Sequence, residues 1–119
     1  MKTLYTFLLS VMISSLTLQA QNSSTKKADK HFDRLEYVDA IEDYEELIRD
    51  GKANAYVYKQ LAISNYKIYK TEEAERNYKT YLGMTESPSA EDYLGYAQTL
   101  IANKRLDKFK EAMRNFSEL

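Results

Sequence analysis

The sequence predicts an all-α protein whose helices are arranged in repeated pairs. Ala40, Tyr44 and Leu47 follow the spacing i, i+4, i+7, which places all three on one face of a helix. Three kinds of position recur after 34 residues, as the pairs Ala28 and Ala62, Ala40 and Ala74, and Tyr44 and Tyr78. A fixed period of this length is typical of a repeat that consists of two antiparallel helices. We therefore expect an array of helical hairpins.

The composition favours a small globular protein and excludes several kinds of site. The 17 Lys and Arg residues are balanced by 18 Asp and Glu residues, whereas a nucleic-acid-binding surface would show a basic excess. Three Gly and one Pro are too few for the many turns of an all-β protein. The chain contains no Cys, which excludes disulfides, thiolate metal sites and a Cys nucleophile.

Residues 1–20 are predicted to be a secretory signal peptide. Lys2 supplies a positive start, the stretch from Leu4 to Leu18 is largely apolar, and Ala20 is a small residue suited to cleavage. The apolar run is shorter than the ~20 residues that a membrane-spanning helix needs. We expect the mature chain to begin near Gln21 and to work outside the cytoplasm, in the periplasm or at the outer membrane.

The apolar spacing predicts six helices in the mature chain. They cover approximately residues 24–35, 37–50, 53–69, 71–83, 89–103 and 106–116. Gly51 is the residue type preferred just past a helix end, Thr71 is a candidate cap for the fourth helix, and Ser87 is one for the fifth. Because short loops join antiparallel neighbours, six helices imply three hairpins.

The residues on these hairpins resemble the tetratricopeptide repeat (TPR). The first unit matches the repeat pattern at Ala28, Tyr37, Ala40, Tyr44 and Leu47. The second matches it at Tyr58, Leu61, Ala62, Asn65, Ala74, Tyr78 and Tyr81. The third has one extra loop residue and matches at Tyr93, Tyr96, Ala97, Leu100, Leu106, Phe109, Met113 and Phe116, although Phe109 stands where the family has a small residue.

The resemblance implies a right-handed α-solenoid of about three TPR hairpins, with repeats at residues 21–54, 55–88 and 89–119. One hairpin cannot bury its apolar face alone, so small residues let neighbouring helices approach and form a continuous core. The residues expected to pack between the helices are Ala28, Ala40, Tyr44, Leu61, Ala62, Ala74, Tyr78 and Ala97.

The family geometry also implies a concave face formed by the first helix of each pair. Its candidate binding residues are Asp29, Asp33, Tyr56, Lys59, Gln60, Ile63, Lys67, Leu94 and Gln98. Tyr, Lys and amide side chains can hold an extended peptide, and Lys59 or Lys67 can pair with an acidic group. The alternative is that these residues form only a solvated helix face.

We find no pattern of residues that predicts catalysis, a metal or a cofactor. His31 is the only His and cannot form a His-based metal site alone, so we expect it at a helix seam. The acidic residues from Glu42 to Glu46 are scattered by helical spacing, and a paired-carboxylate site would also need a pocket. No Gly-rich phosphate loop or nucleophile motif is present. We therefore expect neither an enzyme nor a binder of nucleic acid or small-molecule substrates.

A narrower resemblance comes from the leader followed by lysine-rich and tyrosine-rich repeats. Residues 22–32 resemble the start of large Bacteroidota cell-envelope proteins, in which such repeats precede an OmpA-type peptidoglycan-binding domain and some serve type IX secretion. The resemblance implies that this chain is part of a longer protein. Two hypotheses follow: an exported interaction module for a protein or peptide partner, or a structural spacer within a peptidoglycan-associated OmpA-family outer-membrane protein. Either way, an uncapped C-terminal repeat would favour self-association.

Overall fold

The computed structural model describes residues 24–119, and all regular structure in this range is α-helical. Helix α1 occupies residues 24–33 of the described chain. It is followed by α2 (Tyr37–Arg49), α3 (Ala55–Lys67), α4 (Thr71–Met84), α5 (Ala90–Ala102) and α6 (Leu106–Ser117). The predicted all-α class is confirmed. The predicted signal peptide, residues 1–20, and residues 21–23 lie outside the described range.

Each helix from α2 to α6 packs against the next one in sequence, which gives an open array of hairpins. Helix α1 joins this array through α2, where the Phe32 ring meets the Tyr37 ring edge-on at a centroid distance of 5.6 Å. Between residues 24 and 119, no helix is both long and apolar enough to cross a membrane.

Three turns with the same backbone geometry join the two helices of each hairpin. Leu35, Tyr69 and Lys104 all adopt left-handed conformations, with φ of 63°, 65° and 58°. The residue after each one donates its backbone N–H to a carbonyl five residues earlier, at 2.9 Å, 2.9 Å and 2.8 Å. This is the hydrogen bonding of a Schellman helix end. The three turns are 34 and 35 residues apart, so the spacing seen in the side chains recurs in the backbone.

The start or the cap of three helices differs from the sequence prediction. Helix α3 begins at Ala55 rather than 53, because the Asn54 side chain accepts a hydrogen bond from the Val57 N–H at 3.1 Å. Ser89 caps α5 in place of Ser87, since its hydroxyl accepts from the Asp92 N–H at 3.2 Å. Thr71 is the first residue of α4 and not its cap. Short polar side chains compete for these positions, and local sequence alone does not decide among them.

The apolar core runs along the seam between the helices. All eight residues predicted to pack there are buried, with Ala40, Tyr44, Ala62 and Ala74 each 0% exposed. A large cluster joins α1, α2 and α3, whereas a smaller one joins α5 and α6 through Ala97, Leu100 and Ala112. In α6 the buried small residue is Ala112, and Phe109 is only half-buried. The last hairpin is therefore the least well packed.

Candidate functional site

An open groove of about 550 Å³ lies between α3 and α5. Five residues of the predicted binding face lie together in it: Lys59, Ile63, Lys67, Leu94 and Gln98. Five further residues complete its lining: Tyr66, Tyr78, Glu91, Asp92 and Gly95. The groove thus combines half-exposed apolar side chains with charges of both signs.

The other predicted binding residues do not reach this groove. Asp29, Tyr56 and Gln60 lie between α1 and α3, where they surround the Tyr44 hydroxyl. Tyr44 donates a hydrogen bond to Asp29, Tyr56 donates to the same carboxylate oxygen at 2.8 Å, and the Gln60 amide donates to the Tyr44 oxygen at 3.5 Å. Their polar groups satisfy one another. Asp33 lies in a separate shallow depression, which is lined also by Lys26, Asp29, Lys30 and Arg34.

Burial and hydrogen bonding keep the tyrosines between α1 and α3 in their neutral form. Burial, followed by the hydrogen bond to Asp29, raises the pKa of Tyr56 to about 12. The same two causes raise the pKa of Tyr44. Both hydroxyls therefore remain hydrogen-bond donors to Asp29 across the physiological pH range, and this end of the array is closed.

At the α3/α5 groove, Lys59 is bound to an internal partner. Its Nζ lies 2.8 Å from Oδ1 of Asp92, a residue only 4% exposed, and 5.6 Å from the centre of the Tyr81 ring. The Tyr81 hydroxyl donates to Asp92 Oδ2 at 2.6 Å, and the Ser89 N–H donates to the same oxygen at 2.9 Å. Asp92 therefore completes the capping box of α5 and also joins that helix to α3 and α4.

The titration behaviour of this ion pair follows from its contacts. Burial alone would lower the pKa of Lys59, but the hydrogen bond and negative charge of Asp92 outweigh that effect and raise it. Burial alone would raise the pKa of Asp92, but hydrogen bonds from Lys59 and Tyr81 lower it. Lys59 is thus paired with Asp92, and of the two lysines expected to pair with an acidic group of a partner this leaves Lys67. Lys67 is exposed and makes no ion pair with any residue between 24 and 119.

Tyr78 presents an unused polar group to the groove. Its side chain is 6% exposed and lines the groove, yet its hydroxyl makes no hydrogen bond with the described residues. The hydroxyl lies against the backbone of Gly95, where a methyl group would overlap it and would come within 3.0 Å of the ring carbon Cζ. Burial, followed by the negative charge of Asp92, raises the pKa of Tyr78 to about 12. Because Gly95 has no side chain, it leaves the space that the Tyr78 hydroxyl occupies.

Two polar clusters lie away from the groove and link helices. Glu75, 9% exposed, accepts from the Asn103 amide at 2.8 Å and from Lys108 at 3.1 Å, which ties α4 to the last hairpin. His31 lies half-buried at the predicted seam, with Nδ1 2.6 Å from Glu36 and Nε2 3.6 Å from Asp43.

Ligand-type atoms of His31, Glu36 and Asp39 lie within 4.8 Å of one another in the described chain. The close contact between His31 and Glu36 accounts for this grouping as a link between α1 and the start of α2.

Comparison with solved structures finds the C-terminal part of a TPR repeat-containing protein from Cytophaga hutchinsonii. The TM-score is 0.72 with 20% sequence identity, and the match covers 79% of this chain and 37% of that chain. The fold is TPR-like. At this level of identity the similarity concerns the fold alone. No protein-family model matches the chain, and no curated protein matches it.

The predicted resemblance to the tetratricopeptide repeat is confirmed at the level of the fold. The chain spans little more than a third of the similar solved protein.

Sequence reasoning assigned Tyr78 to packing and did not place Asp92 or Gly95 in a site. Two signals were available. An isolated Gly within a helical pattern often has a packing or functional reason, and Gly95 lies in the middle of α5. Ser89 followed by Asp92 matches the spacing of a capping box, which predicts an ordered carboxylate at that helix start.

Proposed function

We propose that this chain is an exported, non-catalytic interaction module of the cell envelope, periplasmic or outer-membrane associated, and that it holds an extended segment of a partner protein between α3 and α5. The observation that carries this proposal is the groove itself. Ile63 and Leu94 offer apolar contact on opposite walls, while Lys67, Gln98 and Glu91 offer polar contact along the rim. Such a mixture suits a peptide, which has both a polar backbone and apolar side chains.

The neighbouring α1/α3 interface supports the choice of this groove. There the polar groups are already paired with one another, so a ligand would have to displace internal hydrogen bonds. Between α3 and α5 an apolar wall and an exposed lysine are available without such a loss. The proposal includes a right-handed solenoid, cleavage of the signal peptide after Ala20, and export through that signal.

The groove is tested by capture of partners from envelope extracts of the source organism. We expect the protein to retain a partner that the double variant Lys67→Glu with Leu94→Glu loses. A matched control carries the same two kinds of change at exposed positions outside the groove, Lys52→Glu with Val38→Glu. Equal retention by all three proteins would place the binding surface elsewhere, and no specific partner for any of them would overturn the function.

A second candidate function keeps the repeats but makes them structural, as a spacer in a peptidoglycan-associated OmpA-family outer-membrane protein with a role in type IX secretion. The observation that favours it is the apolar surface of the last hairpin, where Ile101 and Leu106 are 59% and 63% exposed. Such a surface suits a further repeat or a second copy of the chain. A concentration-dependent dimer that Leu106→Glu abolishes would support self-association. An OmpA-type domain in the intact gene product would support the spacer.

A further inference from the structure

We propose that the groove between α3 and α5 recognises a neutral amide side chain, Asn or Gln, which an extended partner segment directs to the hydroxyl of Tyr78. The inference rests on the proposed function, since it names the chemistry of the segment that the groove holds. It follows from a comparison of Tyr78 with its counterpart one repeat earlier, Tyr44.

The Tyr44 hydroxyl has partners within the protein. Asp29 accepts its hydrogen bond, and the Gln60 amide donates to its oxygen at 3.5 Å. At the corresponding positions of the next interface, 34 and 35 residues later, stand Ile63 and Gly95. Neither has a polar side chain. The Tyr78 hydroxyl is thus left at a groove wall with capacity both to donate and to accept that no described residue uses.

The charges around Tyr78 favour a neutral partner group over an acidic or basic one. Lys59 and Lys67 on α3 face Glu91 and Asp92 on α5, so the four charges sum to zero. The carboxylates of Asp92 and Glu91 act directly on the Tyr78 phenol and would repel an incoming carboxylate. An amide avoids this repulsion, and it has an N–H donor and a C=O acceptor that both match a hydroxyl. The hydrogen bond from the Gln60 amide to the Tyr44 hydroxyl oxygen is an example of this pairing within the protein.

The apolar walls add a second element to the recognised segment. Ile63 lies half-buried on α3, and Leu94 is 44% exposed on α5, both in the same groove as Tyr78. In an extended chain, residues two positions apart point to the same side. The segment therefore carries an aliphatic residue two positions from its Asn or Gln.

The test selects ligands from a phage library of random nine-residue peptides, using the purified protein and two single variants. Tyr78→Phe removes only the unused hydroxyl. Tyr44→Phe makes the same change where the hydroxyl is satisfied internally and serves as the matched control. We expect the protein and Tyr44→Phe to enrich Asn or Gln two positions from an aliphatic residue, and Tyr78→Phe to lose the enrichment.

One selected peptide is then synthesised with its amide residue kept or changed to Leu or Glu. On the protein we expect the Leu peptide to bind about 3- to 10-fold more weakly, the range of one net hydrogen bond. We expect the Glu peptide to bind more weakly still. On Tyr78→Phe the difference between the amide and Leu peptides disappears. Thermal unfolding of both variants establishes that each is folded under the binding conditions.

The failure of this inference is distinguishable from failure of the proposed function. If the selected peptides lose binding to the Lys67→Glu with Leu94→Glu variant but lack the amide, or keep it on Tyr78→Phe, the inference is wrong and the groove remains a binding site. If no selected peptide depends on Leu94 and Lys67, both the inference and the proposed groove are wrong.

Discussion

Tyr44 and Tyr78 occupy equivalent positions in successive hairpins, and the interfaces around them differ. The interface between α1 and α3 is closed, because Asp29, Tyr56 and Gln60 surround the Tyr44 hydroxyl. The interface between α3 and α5 is joined by Asp92 at one place and remains open where Tyr78 lies. Two successive interfaces of one repeat array can therefore differ in their polar side chains, so that one is closed and the next is open, while the buried core stays the same.

Among the changes that test the difference between the two interfaces, Asp92→Ala should reduce the free energy of unfolding the most. The change removes the acceptor for Lys59, Tyr81 and the Ser89 N–H at once, and we expect it to destabilise the protein by about 2–4 kcal/mol. The measurement is urea unfolding followed by circular dichroism. Glu91→Ala, at the exposed neighbouring position, is the control and should change stability by less than about 0.5 kcal/mol. Equal effects of the two changes would show that Asp92 does not join the helices.

Gly95→Ala should be the next largest change. A methyl group at 95 overlaps the Tyr78 hydroxyl, so we expect a loss of about 1–3 kcal/mol in unfolding free energy. Gly83→Ala is the matched control, because nothing lies within 4 Å of a side chain added there and Ala is the better helix former. It should stabilise by up to about 1 kcal/mol. Stabilisation by both substitutions would contradict the close approach of Tyr78 to α5.

The contribution of Tyr78, at the open α3/α5 interface, to the free energy of unfolding should fall at alkaline pH. The pKa of Tyr78 is about 12 in the folded protein and about 10 in an unfolded chain, so the unfolded state loses this proton first. The stability that Tyr78 contributes is complete below pH 10 and falls as the pH rises towards 12, by an amount on the order of 2 kcal/mol.

Urea unfolding at pH 9 and pH 11 measures this effect. Tyr78→Phe should show a smaller fall than the unmodified protein, while the control Tyr69→Phe, at a position that is 89% exposed, should fall as far as the unmodified protein does. An identical fall in all three proteins would mean that Tyr78 does not titrate differently on unfolding.

The smallest effects distinguish the two hydroxyls directly. Tyr44→Phe removes a hydrogen bond to Asp29 and should cost about 0.5–1.5 kcal/mol. Tyr78→Phe removes a hydroxyl that has no partner in the described chain, so its unfolding free energy should remain within about 0.5 kcal/mol. Both are measured by urea unfolding at neutral pH. A larger loss of unfolding free energy for Tyr78→Phe than for Tyr44→Phe would contradict the assignment of an internal hydrogen bond to Tyr44 and none to Tyr78.

Much of the fold could be predicted because packed helices require particular residue types at regular intervals along the sequence. Small residues at positions 28, 40, 62, 74 and 97 are needed wherever two helices cross closely, and each of them is buried. The prediction was weakest in the last hairpin, where the small residue in contact with α5 is Ala112 and not the residue at 109. In this hairpin the repeat period alone assigns the small residue to position 109, about one helical turn before Ala112.

The candidate site was predicted only in part. Residues of α3 and α5 were expected on one face, and five of them line one groove. The pairing of Lys59 with Asp92 was not predictable, because it joins residues 33 positions apart that share no repeat position. The closure of the α1/α3 interface was missed for the same reason: it depends on which long side chains meet.

The sequence by itself determined the helices, their pairing into hairpins and the residues at the seam, since each depends on spacing along the chain. The tertiary structure decided which polar groups are satisfied and which are left for a ligand. A hydroxyl such as that of Tyr44 or Tyr78 has the same local sequence context in either state. Its partners come from helices before and after its own, so only the packed arrangement shows that the first interface is complete and the second is open.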